Sequence, residues 1–186
     1  MRRQAIASIR MLLVITFVVG VAYPLAITAV AQVAMPGRAN GSLVRADDGR
    51  VVGSELIGQV FEGPEWFHGR PDAFDPTASA PSNLGPSNPE LGRLVRERLD
   101  AIRTHDDPQG LVPVDAVTGS GSGLDPDISP AYARLQAARV AAARGIPVDQ
   151  VLALVDPLVQ GRQLGFLGDP HVNVLMLNLA LERLAR

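Results

Sequence analysis

The feature that most constrains this chain is an uncharged apolar segment, Met11–Ala34, close to its N-terminus. As an α-helix it would be about 36 Å long, enough to cross a hydrocarbon core of about 30 Å with some tilt. No other segment combines this length with an absence of charge. We therefore predict a cytoplasmic N-terminus and transmembrane helix in residues 1–35, followed by a single domain in residues 36–186.

The charges that flank this segment predict its orientation. Arg2, Arg3 and Arg10 precede it, whereas the ten residues that follow it carry only Arg38. Because positive charge accumulates on the cytoplasmic side, we expect the N-terminus inside and the domain outside. A cleaved signal peptide is the alternative, since Ala29-Val30-Ala31 has the form of a cleavage site, but the apolar core of a signal peptide is usually only about 7–15 residues long.

The predicted span carries a face of small and helix-perturbing residues. Thr16 and Gly20 lie four positions apart, and Pro24 and Thr28 continue the same face. Small residues let a second helix approach closely, and a proline frees a backbone carbonyl that a neighbouring helix can satisfy. We therefore expect this face to pack against helices of membrane partners, in addition to the contact of the span with lipid.

The composition of the chain excludes several functional classes. It contains no cysteine and no lysine, so disulfides, a P-loop lysine and a catalytic lysine are all ruled out. Acidic residues (19) outnumber basic ones (17), and three of the arginines precede the apolar segment. An acidic domain with few aromatic residues argues against a nucleic-acid partner, which requires a basic surface.

The sequence after the span predicts an α+β fold, because helix start signals alternate with short apolar segments. Asn88-Pro89, Ser129-Pro130 and Asp169-Pro170 each place a capping residue before a proline, which is typical of a helix N-terminus. The predicted elements are a hairpin of two strands around Ala46–Gly49, a helix over Pro89–Thr104, an edge strand over Leu111–Thr118, a helix from Pro130 that ends at Gly145, a short helix from Pro147, a short strand within Gln160–Leu167 and a helix over His171–Ala185.

Two of these elements carry further predictions. A central strand is the alternative for the last segment, since a short apolar sequence such as VNVLMLNLAL does not distinguish the two structures. On the helix that begins at Pro130, the spacing predicts one broad face, with Arg134 and Gln136 outside it. The members of this face are Tyr132, Leu135, Arg139, Val140 and Ala143.

The segment from Phe61 to Pro89 contains six prolines and predicts a long irregular loop. It also carries three aromatic residues and an arginine, which are the usual anchors of interfaces: Trp66, Phe67, Phe74 and Arg70. Loops of more than about 12–15 residues are usually functional or disordered, and disordered linkers seldom contain aromatic residues in this number. We interpret the segment as an ordered loop that docks on its own domain, on a partner, or on both.

No set of residues in the sequence predicts a catalytic or metal site. The three histidines, at positions 68, 105 and 171, lack the spacing of metal ligands. Asp125 and Asp127 resemble part of a calcium loop, but the glycine and the distal glutamate are missing. Ser120 and Ser122 have no identifiable base, and the Gly119–Gly123 glycine–serine segment favours a tight turn over an anion cradle. The chemistry alone predicts a membrane-tethered accessory or binding domain.

Several longer motifs resemble the C subunit of the Kdp potassium-transporting P-type ATPase, and they cover nearly the whole chain in the order of that family. Beside the N-terminal span they are GSELIGQVF at 53–61, FHGRP at 67–71, SNLGPSNP at 82–89, VPVDAVTGSGSGLDPDIS at 112–129, QAARVAAARG at 136–145 and GDPHVNVLMLNLAL at 168–181.

This resemblance implies a non-catalytic subunit of a potassium uptake complex in the cell membrane. Its partners would be two subunits. One is channel-like and selects potassium, which is the transported ion, and the other hydrolyses ATP through an aspartyl-phosphate. The family is described as a catalytic chaperone that raises the ATP affinity of the catalytic subunit. The resemblance assigns the nucleotide contact to Gln136, Arg139 and Arg144. The alternative is a secreted or tethered binding domain unrelated to transport.

The predicted topology separates this nucleotide contact from cellular ATP. If the arginine-flanked N-terminus is cytoplasmic, Gln136 lies on the opposite side of the bilayer. We therefore expect the effect on ATP affinity to be indirect and the domain to cap the external mouth of the potassium-selecting subunit. We predict no metal and no tightly bound cofactor in this chain.

Overall fold

The computed structural model describes residues 1–72, 74–108 and 110–184 of the chain. The chain divides into two compact units, Met1–Leu43 and Val44–Arg186. The first is helical over most of its length, and the second mixes helices with short strands. The predicted α+β class with one N-terminal apolar helix is thus confirmed.

The first unit contains a continuous helix over Arg2–Ala34 that is long and apolar enough to cross a membrane. It consists of α1 (Arg2–Phe17), a π-helical turn (Val18–Ala22) and α2 (Tyr23–Ala34), and a short helix, α3 (Pro36–Ala39), follows. Because Pro24 has no N–H, it cannot bond the carbonyl four residues earlier. The helix widens just before it, and the Tyr23 N–H donates to the Val18 carbonyl.

The predicted hairpin is present as β1 (Leu43–Arg45) and β2 (Val51–Ser54). Its turn places Gly49 at φ +82°, where a glycine is favoured, and the Gly49 N–H donates to the Ala46 carbonyl at 2.9 Å. No regular helix or strand lies between β2 and Pro89 in the described residues, as the prolines predict.

Three predicted helices of the second unit are present; the first two begin and end close to the predicted positions, and the third begins close to Pro147 but includes Pro157 in its last turn. They are α4 (Pro89–His105), α5 (Pro130–Arg144) and α6 (Val148–Leu158). The Asn88 side chain accepts from the Glu90 N–H, and the Ser129 hydroxyl accepts from the Tyr132 N–H. Gly145 ends α5 at φ +65°. These boundaries follow from local capping, which a sequence shows directly.

The segment Leu111–Thr118 is not a strand, and that prediction was wrong. Val114–Ala116 forms a 3₁₀ turn instead. The Asp115 carboxylate accepts from both the N–H and the hydroxyl of Ser129, at 2.6 and 2.9 Å, and so holds the turn against the start of α5. Side-chain bonds of this kind compete with the pairing that a strand requires.

A three-stranded antiparallel sheet crosses the second unit in the order β3 (Asp127–Ile128), β5 (His171–Asn173), β4 (Val159–Gln160). The predicted helix over His171–Ala185 must be corrected, because its first three residues form the central strand and α7 covers only Val174–Leu184. Ala185 lies outside the described residues. The Asn173 side chain accepts from the Met176 N–H and starts α7 there. Part of the alternative, a central strand, is therefore correct.

The core lies between the sheet, α5, α6, α7 and a few residues of the irregular segments. Its fully buried side chains include two residues from α6, two from α7 and one from the loop before α4. These are Val151, Val155, Leu177, Leu181 and Phe67. Every residue of this core lies in the second unit.

Candidate functional site

Two buried side-chain amides hold consecutive residues of the irregular segment. Asn178 of α7 accepts from the Phe67 N–H and donates to the Phe67 carbonyl, both at 2.9 Å. Gln136 of α5 accepts from the His68 N–H at 2.7 Å and donates to the His68 carbonyl at 3.0 Å. Because buried backbone groups without partners cost free energy, each amide takes the place of a pairing strand. We call residues 61–72 the docked loop.

Arg139, one turn after Gln136, links the docked loop to the end of α4. Its Nε donates to the Asp106 carboxylate at 2.7 Å, and both side chains are only 8% exposed. The Nη1 of the same guanidinium donates to the carbonyls of Pro64 and Trp66, and its Nη2 donates to the Gln136 Oε1, at 2.7–2.9 Å. A buried ion pair is tolerated where its remaining donors are bonded, as they are here.

Arg144 closes the outer end of the same arrangement. Its Nε donates to the Glu65 carbonyl at 2.8 Å, and its guanidinium lies 4.5 Å from the centre of the Trp66 ring. This is the geometry of a cation–π contact. The rings of Phe61 and Trp66 also contact each other, with centroids 5.8 Å apart.

The structure places the four predicted docking residues differently from one another. Phe67 is fully buried in the core, so its ring anchors the loop to its own domain and has no exposed surface for a partner. Trp66, Arg70 and Phe74 are half-buried. The Arg70 guanidinium donates to the carbonyls of Thr118 and Gly119 and to the Asp125 carboxylate, at 2.7–3.3 Å.

The glycine–serine segment lies against the end of the docked loop as a tight turn. The Ser120 N–H donates to the Asp72 carboxylate at 2.7 Å, and the Ser120 hydroxyl accepts from the Gly123 N–H at 2.8 Å. A Cβ at Gly119 would overlap the Asp72 carboxylate, so a larger residue there would require that side chain to move. The N–H groups of Ser120, Gly123 and Leu124 are thus bonded to side chains of the chain itself.

Two cavities, of about 280 and 490 Å³, adjoin the docked loop and share His68 and Tyr132 in their walls. Burial, followed by the nearby Arg139 guanidinium, lowers the pKa of His68. Burial raises the pKa of Tyr132 to about 12. Both side chains are therefore neutral at pH 7.

The described residues do not assemble a recognisable catalytic or metal centre. No group of three His, Asp or Glu side chains within them is placed to hold a metal ion. Two of the three histidines have separate partners. The His68 ring contacts the Gly63 carbonyl at 2.8 Å, and the His171 ring contacts the Asp127 carboxylate at 3.6 Å. The polar groups near the docked loop hold backbone, which is a positioning role.

The three residues that the resemblance implies for ATP contact lie together on α5. Gln136, Arg139 and Arg144 all face the docked loop, and each bonds at least one of its backbone groups. The prediction that Gln136 lies outside the main face of α5 was wrong, because the side chain is fully buried. Ala143, predicted on that face, is exposed.

The predicted membrane-packing residues lie on the N-terminal helix, and all of them are exposed. A Cβ at Gly20 would meet only the Thr16 methyl group, at 3.8 Å, so a side chain there is compatible with the helix itself. In a regular helix a four-residue step overshoots a full turn by about 40°. The wider turn before Pro24 offsets part of this drift, which keeps Thr16, Gly20 and Pro24 close to one face.

Sequence reasoning missed two residues of this arrangement, Asn178 and Asp106. Asn178 interrupts the apolar sequence VLMLNLAL, and a single amide within an otherwise apolar helix is the signal that could have identified it. Asp106 follows α4 directly and gives no such signal, because its partner Arg139 lies far away in the sequence.

An apolar helix long enough to cross a membrane, together with a separate domain of helices and short strands, is the arrangement found in single-span membrane-anchored proteins, and the chain is consistent with that class. The chain belongs to the KdpC family, whose model, described as the c chain of the K⁺-transporting ATPase, matches residues 5–183. The family resemblance inferred from the motifs is thereby confirmed.

Curated relatives agree with this assignment over most of their length. A potassium-transporting ATPase KdpC subunit from Caulobacter vibrioides is 57% identical over 171 residues, which are 90% of this chain and 86% of the relative. The KdpC subunit of Sorangium cellulosum is 57% identical, covering 92% and 93% of the two chains. That of Mycobacterium tuberculosis is 52% identical, covering 99% and 100%. Membership of this family counts against a binding domain unrelated to transport.

Proposed function

We propose that this chain is a non-catalytic accessory subunit of an ATP-driven potassium uptake complex in the cell membrane. Its N-terminal helix crosses the bilayer with the N-terminus inside, and its domain lies outside the cytoplasm. Its partners are a channel-like subunit that binds potassium and a P-type subunit that hydrolyses ATP. The family assignment and the candidate span at the N-terminus support this proposal.

The observation that best supports the accessory role is that side chains of α5 hold the backbone of the docked loop. Gln136, Arg139 and Arg144 direct their polar groups to the backbone of residues 64–68, so the chain uses its most distinctive side chains to fix its own shape. A rigid surface of this kind loses little conformational entropy on binding, which favours a docking subunit. We place this surface on the external mouth of the channel-like subunit.

The membrane helix provides the first test of the accessory role. Leucine at Gly20 would block a close helix approach without disturbing its own helix. We expect the Gly20→Leu chain to be lost from the complex in detergent, with at least a tenfold lower yield on co-purification. Ala22→Leu is the matched control, since it adds the same side chain two positions further on, on roughly the opposite side of the helix. Equal retention of both variants would contradict packing through the Thr16, Gly20 and Pro24 face.

We propose that any rise in the ATP affinity of the catalytic subunit is transmitted through the complex, without direct contact between nucleotide and this chain. The full-length chain in detergent should then show no saturable binding of a fluorescent ATP analogue, while its addition to the other subunits lowers the KM for ATP. Saturable binding that is lost in Arg139→Ala but kept in Arg134→Ala would instead support direct contact. Circular dichroism of both variants checks that the fold survives.

The side of the membrane on which the domain lies distinguishes most directly between the two roles, a cap on the channel-like subunit and direct help with nucleotide binding. In sealed right-side-out vesicles, an external protease should digest the domain after residue 36 and leave the N-terminal segment protected. The same protease should leave the domain intact in sealed inverted vesicles. Digestion in the inverted vesicles alone would place the domain in the cytoplasm, which would overturn the cap and favour direct help with nucleotide binding.

A further inference from the structure

The hairpin that connects β4 and β5 carries an unusually apolar surface. All ten residues from Gly161 to Pro170 are exposed. Among them Leu164, Phe166 and Leu167 are 83%, 69% and 48% exposed. Single exposed apolar residues are common on soluble surfaces, but three large ones within four positions are not. We call residues 162–169 the apolar tip.

The apolar tip has a defined backbone structure. The Gln163 N–H donates to the Leu167 carbonyl and the Leu167 N–H donates to the Gln163 carbonyl, both at 2.9 Å. At the base of the tip, Arg162 and Asp169 form an ion pair at 3.1 Å. The strands on either side continue into the central sheet, because Gln160 pairs with His171. The three apolar side chains are thus presented on an ordered support.

The conformation of Leu164 is unfavourable in the isolated chain. Its φ is +53°, a region that leucine rarely adopts, and Gly165 follows at φ +82°. Asparagine or glycine would occupy this position at lower cost. A strained, exposed leucine contributes nothing evident to the domain itself, and backbone strain of this kind is concentrated at functional sites.

We infer that the apolar tip inserts into a preformed apolar pocket on another subunit of the transport complex, with Phe166 and Leu164 as the anchoring side chains. This inference rests on the proposed function, since it requires a complex. The charges of the tip favour a protein pocket over lipid: its only cation, Arg162, is paired with Asp169, so the tip is neutral and offers no basic group to lipid phosphates. It also carries no Trp or Tyr, the residues preferred at a bilayer surface.

Shape supports the same occupant. A fluid bilayer accepts any apolar segment and requires no particular backbone conformation. A pocket on a protein binds an apolar segment more tightly when the segment is already fixed in its bound conformation, since less entropy is lost on binding. Large apolar anchors in well-packed pockets carry most of the energy of such interfaces.

Site-specific photo-crosslinking tests the inference in the assembled complex. The full-length chain, with p-benzoylphenylalanine in place of Phe166, is co-expressed with the other subunits, irradiated in membranes, and analysed by mass spectrometry. We expect an adduct with one other subunit at a yield at least fivefold above that of the same probe at Leu111. Leu111 is the matched control, because it is 99% exposed and lies outside the tip. An adduct with lipid, with a second copy of this chain, or at the control yield would overturn the inference.

A second variant weakens docking without weakening the fold. Leu164→Asn replaces the apolar side chain by one that tolerates the positive φ, so the thermal midpoint of the chain should not fall. We expect the variant to reduce the crosslinking yield from position 166 at least threefold, and an unchanged yield would contradict a role for Leu164 as an anchor.

The proposed function can survive the failure of this inference. If the wild-type chain co-purifies with the other subunits and position 166 gives no subunit adduct, the accessory role stands and only the tip contact is excluded. If the wild-type chain co-purifies with no subunit, the proposed function fails first.

Discussion

At the scale of single residues, buried amides do the work that strand pairing does elsewhere. The docked loop enters the core with Phe67, and its backbone there has no neighbouring strand. Asn and Gln can each accept and donate at once, which matches the N–H and carbonyl of one extended residue. Asn178 and Gln136 therefore bring an irregular segment into the interior with its polar groups bonded.

Removing one amide should destabilise the domain strongly. Asn178→Leu keeps the volume but leaves the Phe67 N–H and carbonyl without a partner, at a cost of about 1–3 kcal/mol for each buried group. We expect the free energy of unfolding to fall by roughly 3 kcal/mol, measured by urea denaturation of the full chain and followed by circular dichroism. Glu182→Gln, an exposed position on the same helix, should change it by less than about 0.5 kcal/mol. Equal losses of unfolding free energy in the two variants would show that the Asn178 amide does not hold the Phe67 backbone.

His68 should make the stability depend on pH. Burial and the Arg139 guanidinium lower its pKa in the folded chain below the ordinary value of 6.5. Below pH 6.5 the unfolded chain therefore binds a proton that the folded chain does not, so stability is full above that pH and is lost as the pH falls towards the folded pKa. Thermal midpoints measured between pH 7.5 and 5.5 should fall, and His68→Gln should fall less steeply. Parallel profiles for the two chains would exclude His68 as the cause.

At the scale of elements, the helix ends and the β1–β2 hairpin are determined by nearby residues, whereas the three-stranded sheet is not. The caps at Asn88, Ser129 and Gly145 predict the bounds of α4 and α5 because each depends on a few neighbouring residues. The strand β5 depends on partners far away in the sequence, at β3 and β4. Two- and three-residue strands carry too little periodicity to be seen in the sequence, which explains why the start of α7 was predicted too early.

The C-terminal cap of α5 offers a clean test at this scale. Gly145 has φ +65°, and no atom lies within 4 Å of a Cβ built there. Gly145→Ala should therefore cost about 1 kcal/mol through backbone conformation alone. Gly145→Asn should cost less, since asparagine tolerates this region. The measurement is the free energy of unfolding of the two variants. An alanine variant as stable as wild type would show that a side chain at this position does not strain the backbone.

The candidate site was only partly predictable for the same reason. Aromatic and arginine residues in a proline-rich segment predict an ordered loop, and the loop is ordered. Which of them is buried depends on the tertiary structure. Phe67 and Trp66 are adjacent in the sequence, yet one lies in the core and the other stacks beneath Arg144.

At the scale of the whole molecule, the two compact units differ in how they are stabilised. No residue of the first unit is buried within the described structure, as expected for a helix whose surroundings are lipid or other subunits. The second unit holds the hydrophobic core that the described residues form. Its fold therefore depends on its own packing, and without cysteines it receives no help from disulfides.

This division predicts that the domain folds without the membrane helix. A chain of residues 36–186 should unfold cooperatively, with a thermal midpoint equal within error to that of the same domain in the full chain, measured by circular dichroism. It should no longer co-purify with the complex at wild-type yield, because the span is missing. A truncated chain without a cooperative transition would show that the helix contributes to the fold.

The stacking of Arg144 on Trp66 has an optical consequence. The chain contains a single tryptophan, and that indole lies in the docked loop beneath a guanidinium. Its emission is therefore a built-in, label-free reporter of whether residues 61–72 are seated or released. If the tryptophans of the other subunits were replaced, the wavelength of maximum emission of this one indole would report the conformation of the docked loop during turnover in real time.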